Sequence, residues 1–191
     1  MKYDIPAVIF AGGRSRRMGK DKALLPFGEF DTLAQYQYEH LKKYFDTVYI
    51  VTKDAKFDFD APLIFDKDKE SSPLVGLVSV FESLAAKEVF VLSVDAPFVT
   101  KKIIDALLQA DTHQRYDTVV ASHNGREQPL CALYRDTIMP TAKKALMEGN
   151  HKMKSLLQQS RTLTLSFEEK NAFLNLNHPK EYEEALRLIS S

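Results

Sequence analysis

The stretch "FAGGRSRRMGKDK", residues 10–22, sets Gly12 and Gly13 directly behind the apolar run IPAVIF and follows them with Arg14, Arg16, Arg17, Lys20 and Lys22. Glycines let main-chain N–H groups approach a ligand with no Cβ in the way, and consecutive amides form an anion-binding concavity. Five cations beside such a concavity suit a polyphosphate, whose oxygens take charge-assisted hydrogen bonds and whose departing pyrophosphate needs its charge offset. The competing reading is a solvated basic loop. Two simpler phosphate-binding signatures do not fit. Five residues, not four, separate Gly13 from Gly19-Lys20, Asp21 stands where a P-loop needs Ser or Thr, and no G-x-G-x-x-G occurs.

Two further stretches carry chemistry. In "FVLSVDAPFV", residues 90–99, a buried strand runs into Asp95 and is stopped by Pro97. A carboxylate at the carboxyl end of a central strand faces the same edge as the glycine loop and is the hard ligand that Mg²⁺ on nucleotide phosphates prefers. The alternative is an Asp that bonds its own backbone in a turn. In "FDKDKESSPLVGLVSVFESL", residues 65–84, Asp66 follows a short strand, Ser72 suits a helix N-cap and Pro73 a first helical position. The positive end of that helix points toward the strand ends, and Gly76 leaves room for a flat base or a phosphate. Asp68 and Glu70 read as a solvated acidic loop.

These groups need elements to position them. Runs that are apolar at nearly every position, at 7–10, 47–51, 63–65, 89–94 and 118–121, alternate with helical patterns at 32–44, 73–86 and 101–110. That is the pattern of parallel strands buried on both faces with helical crossovers, an α/β three-layer domain. After Asn124 the pattern loosens into runs at 129–134, 162–167 and 173–176 and helices near 138–147, at 152–158 and from Pro179, which predicts a mixed or antiparallel edge. No linker or repeat interrupts the chain, so all 191 residues are expected to form one domain.

Composition removes whole classes of function. Lys plus Arg (26) cancels Asp plus Glu (26), so global charge gives no reason for a nucleic-acid or membrane partner. Cys131 is the single cysteine, which excludes an intrachain disulfide and a thiolate metal cage. It reads as a small buried residue. His40, His113, His123, His151 and His178 never stand one helical turn apart, so no zinc pair arises. With no signal peptide and no apolar run long enough to cross a bilayer, a cytoplasmic location is expected.

The segment G-G-x-S-x-R-M-G-x-D-K, here Gly12 to Lys22, resembles the signature loop of the molybdenum cofactor guanylyltransferases, members of the larger nucleoside-triphosphate transferase family. D-x-P at Asp95 matches the family, and P-L-x-G at Pro73 matches its G-P-L-x-G except that Ser72 replaces the first glycine. Likeness at "REQPLCALYR" (126–135) and "FLNLNHPKEY" (173–182) extends it over nearly the whole chain. The resemblance implies a Rossmann-like nucleotidyltransferase fold with a mostly parallel sheet. It also implies that 1–123 mainly bind the nucleotide and 124–191 mainly the acceptor.

By the same resemblance, the backbone of Phe10, Ala11, Gly12 and Gly13 holds nucleoside and phosphates, Arg17 meets the triphosphate, Lys22 neutralises charge at the reacting phosphate and Asp95 binds Mg²⁺. Asp66 contacts the nucleotide, Gly76 lies near the base, and Thr52 stands where several relatives carry Asn. In the acceptor half, Asn175 and Asn177 alternate with Leu174 and Leu176, which puts both amides on one side of a strand, where they could meet the acceptor's phosphate or complete a magnesium shell. Alternatively Asn177 caps the final helix. Tyr134 and Arg135 form either an aromatic face with a phosphate clamp or a core Tyr beside a surface Arg. His151, Lys152 and Lys154 make a small basic patch that reads as solvated.

The function so implied is transfer of GMP from GTP to molybdopterin. Two rivals stand beside it: a transferase using CTP on molybdopterin or an NTP on a sugar 1-phosphate, and a non-catalytic protein delivering cofactor to molybdoenzyme apo-proteins. The N-K-x-D guanine motif is absent, so the sequence itself does not choose the base.

Overall fold

The strands β1 (Ala7–Phe10), β2 (Val48–Thr52) and β4 (Glu88–Ser93) are apolar at almost every position because both of their faces are covered. Alternate residues go to opposite layers: Ala7, Ile9, Ile50, Phe90 and Leu92 enter one apolar cluster, and Val8, Phe10, Val51, Val89 and Val91 enter the other. The computed structural model describes residues 2–12, 21–66, 72–169 and 171–190.

With β3 (Leu63–Phe65), β5 (Thr118–His123), β6 (Arg126–Arg135) and β7 (Thr162–Ser166), seven strands among the described residues form one sheet in the order β3-β2-β1-β4-β6-β5-β7. Only β6 runs against its neighbours, pairing antiparallel with β4 and with β5, which gives the expected mixed edge in the second half of the chain. Helices α1 (Leu33–Lys42), α3 (Lys101–Gln109) and α6 (Pro179–Ile189) cover one face; α2 (Pro73–Leu84), α4 (Met139–Met147) and α5 (Met153–Gln159) cover the other. None of the described helices is long and apolar enough to cross a membrane.

The helix boundaries follow capping chemistry. The Thr32 hydroxyl accepts from Gln35 N at 3.1 Å to start α1, and Ser72 accepts from Val75 N at 3.2 Å, with Pro73 as the first residue of α2. The predicted helix 73–86 stops at Leu84 because Ala85 turns left-handed at φ 48°. The predicted run 129–134 begins earlier, at Arg126, since Asn124 and Gly125 at φ 50° and 69° make the two-residue turn that hairpins β5 into β6.

One expectation fails. Residues 173–176 are not a strand: 171–173 make a turn, closed by Leu174 N donating to Asn171 O at 3.0 Å, and no ladder follows. The Leu-Asn alternation instead serves one-sided burial, with Leu174 and Leu176 packing into the first apolar cluster.

From β1 the chain moves outward to β2 and β3 and then crosses back to β4 on β1's other side. Ligands bind at such a reversal, outside the carboxyl ends of the strands. Phe10 lies opposite Ser93, and Val94 N donates to Phe10 O at 3.1 Å, so the loops after β1 and β4 leave the sheet side by side.

Candidate functional site

At that corner Lys22 opens a short 3-10 turn (Lys22–Leu24), capped by the Asp21 side chain, which accepts from Ala23 N at 3.0 Å. The Lys22 ammonium donates to Asp95 Oδ2 at 2.7 Å and to Asn177 Oδ1 at 3.0 Å. The Lys22 and Asp95 side chains are each only 16% exposed, so the pair sits in a setting where charge is poorly screened. The other carboxylate oxygen, Asp95 Oδ1, accepts from the Ser93 hydroxyl at 2.6 Å. Residues 22, 95 and 177, far apart in the chain, thus converge on one positive charge. Among the described residues no group of three or more His, Cys, Asp and Glu side chains is arranged to hold a metal ion.

Each partner is held in place by its own segment. Leu176 N donates to the main-chain oxygen of Asp95 at 3.0 Å, stapling the segment before α6 onto the turn after β4. Glu181 accepts from Asn177 N and His178 N, at 2.6 and 2.8 Å, and His178 is the N-cap of α6. Asn177 is therefore not the cap, and its side chain turns to Lys22. Beneath Asp95, the fully buried Gln37 donates to Ser93 O and Ala96 O at 3.1 and 3.0 Å, propping the turn from α1.

On the far side of Asp95 lies a cavity of about 220 Å³ whose lining includes Asp95, Gln128, Cys131, Phe173, Asn175 and Asn177. Asn175 donates to Gln128 Oε1 at 3.4 Å, and the Phe173 ring stacks on His123 with centroids 5.5 Å apart. Burial pushes the Cys131 thiol up to about 12, so it remains protonated and reads as wall, not nucleophile. On the near side, the main-chain groups of Phe10 and Ala11 are engaged with Val94, Val51 and Lys56, and the corner begins at Gly12, where an added Cβ would meet no atom of the described residues within 4 Å.

Gly13, Arg14, Arg16, Arg17 and Lys20 lie outside the described residues, as do Asp68 and Glu70. Asp66 follows β3 and ties its N–H to Thr52 O at 3.1 Å, placing both at the carboxyl ends of the neighbouring strands β2 and β3. The Thr52 hydroxyl is committed to Asp54, donating to its carbonyl at 3.1 Å.

Two expected contacts are corrected. Arg135, expected to meet the acceptor, does not line the cavity beside Asp95. It pairs opposite Glu88, at the start of β4, and so occupies the end of the sheet away from Asp95. There its guanidinium, 6% exposed, binds Glu88 Oε2 at 3.0 Å, Asp111 Oδ2 at 2.7 Å and Tyr116 O at 2.7 Å. Tyr134 is a core residue whose hydroxyl donates to Pro129 O at 2.8 Å. Gly76 does not leave room for a base: a Cβ there would lie 2.7 Å from Phe10 Cε1, so the missing side chain accommodates the Phe10 ring. His151 is also no open patch, since its Nδ1 lies 3.0 Å from the Ser72 hydroxyl.

Gln37, Ser93, Gln128 and Lys56 were missed in the sequence. Gln37 carried a signal, being a polar residue within the buried 33, 34, 37, 38, 41 stripe of α1.

The family model of the MobA-like NTP transferase domain matches residues 7–163. The chain belongs to the MobA-like NTP transferase family. Membership makes it a nucleotidyltransferase. Its relatives include the molybdenum cofactor guanylyltransferase of Campylobacter jejuni, 35% identical over 182 residues that span 94% of each chain. That of Helicobacter pylori strain G27 is 30% identical, covering 97% of this chain and 94% of its own. Among solved structures, molybdopterin-guanine dinucleotide biosynthesis protein A from Archaeoglobus fulgidus superposes with a TM-score of 0.84 at 20% identity, covering 97% of this chain and 99% of that one. The 2-C-methyl-D-erythritol 4-phosphate cytidylyltransferase of Thermus thermophilus gives 0.72 at 16%, covering 99% and 100%. At those identities the two structures show the shared fold alone.

Proposed function

We propose that this family member transfers GMP from GTP to molybdopterin, releasing pyrophosphate. The observation that carries the reading is the meeting of Lys22, Asp95 and Asn177 between a glycine corner and a cavity, at the reversal of the sheet. The names of the relatives add guanine and the molybdenum cofactor.

An oxygen of the acceptor's terminal phosphate attacks the α-phosphorus of GTP. The bond from that phosphorus to the oxygen bridging to the β-phosphate breaks, and its electron pair leaves with pyrophosphate. The attacking oxygen is already anionic, so no general base is required and the work is positioning and charge neutralisation. Lys22 and, by family resemblance, Arg17 and the amides from Gly12 to Gly13 offset charge on the phosphates. Asp66 and Thr52 border the nucleoside, and Asn175 with Gln128 and Phe173 borders the acceptor ring.

The residues present fit Mg²⁺. Asp95 supplies a hard carboxylate and Asn177 a neutral amide oxygen beside it, the donor types the ion prefers, and together they already hold a cation, the Lys22 ammonium. These two side chains would hold the ion, which would supply charge neutralisation at the phosphates. A cytoplasmic location, and delivery of the product to molybdoenzyme apo-proteins or other cofactor-biosynthesis proteins, belong to the same reading.

Pyrophosphate release, measured with GTP, CTP and ATP against molybdopterin and a sugar 1-phosphate, tests it. Release is expected with GTP and molybdopterin. Preference for CTP or for the sugar phosphate would move the chain to another branch of the family, and GTP binding without turnover under saturating acceptor would make it a delivery protein.

A further inference from the structure

Lys56 belongs to no motif in the sequence, yet its ammonium holds both described flanks of the signature loop. It donates to Ala11 O at 3.3 Å, where the chain leaves β1, and to Asp21 Oδ2 at 2.5 Å, where the chain re-enters the described structure beside Lys22. Asp21 carries the contact onward, because its Oδ1 accepts from Ala23 N at 3.0 Å and so shapes the turn that Lys22 opens. Ala23 is buried in the first apolar cluster, which seats that turn firmly. The loop after β2 is in turn folded to deliver Lys56. The Thr52 hydroxyl bonds Asp54 O, and Lys56 N donates to the same carbonyl at 3.0 Å.

This is not an ordinary surface pair. The Lys56 and Asp21 side chains are 20% and 32% exposed, the ammonium serves two acceptors from two segments, and it lies 5.5 Å from the centroid of the Phe57 ring. A partly desolvated cation with two fixed acceptors sets a distance, and the distance it sets is that between the end of β1 and the turn bearing Lys22.

We infer that Lys56 is a positioning residue. It acts through Asp21 to hold the Lys22 ammonium at Asp95, and it does not itself meet the nucleotide. The inference rests on the proposed nucleotidyl transfer, in which Lys22 neutralises the reacting phosphate. Misplacing a catalytic group by about 1 Å costs as much as roughly a hundredfold in rate. Lys56→Met is therefore expected to lower kcat by about tenfold or more while KM for GTP stays within about twofold.

The test is a double-mutant cycle on the full chain, with kcat and KM measured for the parent, Lys56→Met, Lys22→Ala and the double variant, each checked for an intact thermal transition. Because Lys56 acts through Lys22, Lys56→Met should cost nothing further once Lys22 is alanine. Lys56→Arg should recover most of the rate, and Asp21→Asn, which keeps the cap but loses the charge facing Lys56, should reproduce the loss. Additive losses, or a raised KM for GTP at unchanged kcat, overturn the assignment and make Lys56 an independent contact. A crystal structure of Lys56→Met decides the matter without turnover. Lys22 Nζ should leave hydrogen-bond reach of Asp95, and its retention at 2.7 Å sinks the inference. Absence of turnover by the parent with GTP would instead count against the proposed function.

Discussion

Lys22 Nζ lies 2.7 Å from Asp95 Oδ2, although the two residues are 73 positions apart in the chain. Removing either partner leaves the other charge uncompensated in a poorly solvated corner and takes away one preorganised electrostatic group. Asp95→Ala and Lys22→Ala are each expected to lower kcat about a hundredfold or more in a pyrophosphate-release assay. Chelation of Mg²⁺ should stop turnover in the parent and re-addition should restore it. Asp95→Ala with full Mg²⁺-dependent turnover would show that the ion binds elsewhere.

Arg135 provides a contrast. Asp111 is 2% exposed, and although its burial opposes ionisation, the N–H groups of Tyr116 and Arg115 together with the Arg135 guanidinium hold its carboxyl below the usual carboxylate range. Arg135→Met strands that carboxylate and should cost about 3–5 kcal/mol of stability. Urea unfolding should report the loss, while KM for molybdopterin, measured well below the melting temperature, stays at the parent value. A large rise in that KM with unchanged stability would return Arg135 to the acceptor site.

Gly76→Ala tests the packing of β1 on α2. The new methyl would meet the Phe10 ring at 2.7 Å and Val51 Cγ1 at 3.3 Å, so the variant should be less stable by about 1–3 kcal/mol. Phe10→Leu in the same chain should recover part of the loss. A parent-like unfolding midpoint for Gly76→Ala would mean that the ring moves without cost.

Asp117 gives a pH signature. Its hydrogen bonds from the Arg161 side chain, with further ones from the Thr137 hydroxyl and Arg161 N, outweigh burial and hold its carboxyl below the ordinary value. The folded state therefore binds fewer protons than the unfolded one as the carboxyl titrates, and the stabilisation is complete above the unfolded value of about 3.9 and lost as pH falls through the lower folded value. Asp117→Asn should be less stable than the parent by about 2 kcal/mol at pH 7, with the gap closing below about pH 4. Denaturant curves at pH 7 and pH 3 check this, and an equal gap at both would contradict it.

Much of the fold was legible because it depends on periodicity. Double-sided burial wrote itself into Ala7 to Phe10 and Val89 to Leu92 as uninterrupted apolar runs, and Ser72 announced its helix through capping chemistry. The segment 173–176 misled because alternation reports which side is buried, not whether a neighbouring strand is present. Asp95, Lys22 and Asn177 could be named singly from residue type and resemblance, but their convergence is a tertiary fact. Arg135 was misplaced because an arginine beside a tyrosine at a strand end looks the same whether that end faces a ligand or a buried Asp from α3's far side. The antiparallel direction of β6, readable in the Asn124-Gly125 turn, would have settled the matter. Lys56 left no trace, since its importance lies in two acceptors 45 and 35 residues away.

The most direct test of the account is mass analysis of the product formed from labelled GTP, Mg²⁺ and molybdopterin. The account predicts molybdopterin carrying one added GMP, formed with an equal amount of pyrophosphate and, over the same time, at about a hundredth of the parent's rate or less with Asp95→Ala. Unmodified molybdopterin after prolonged incubation with active-concentration enzyme, or a cytidylyl adduct formed in preference when CTP competes with GTP, would contradict it.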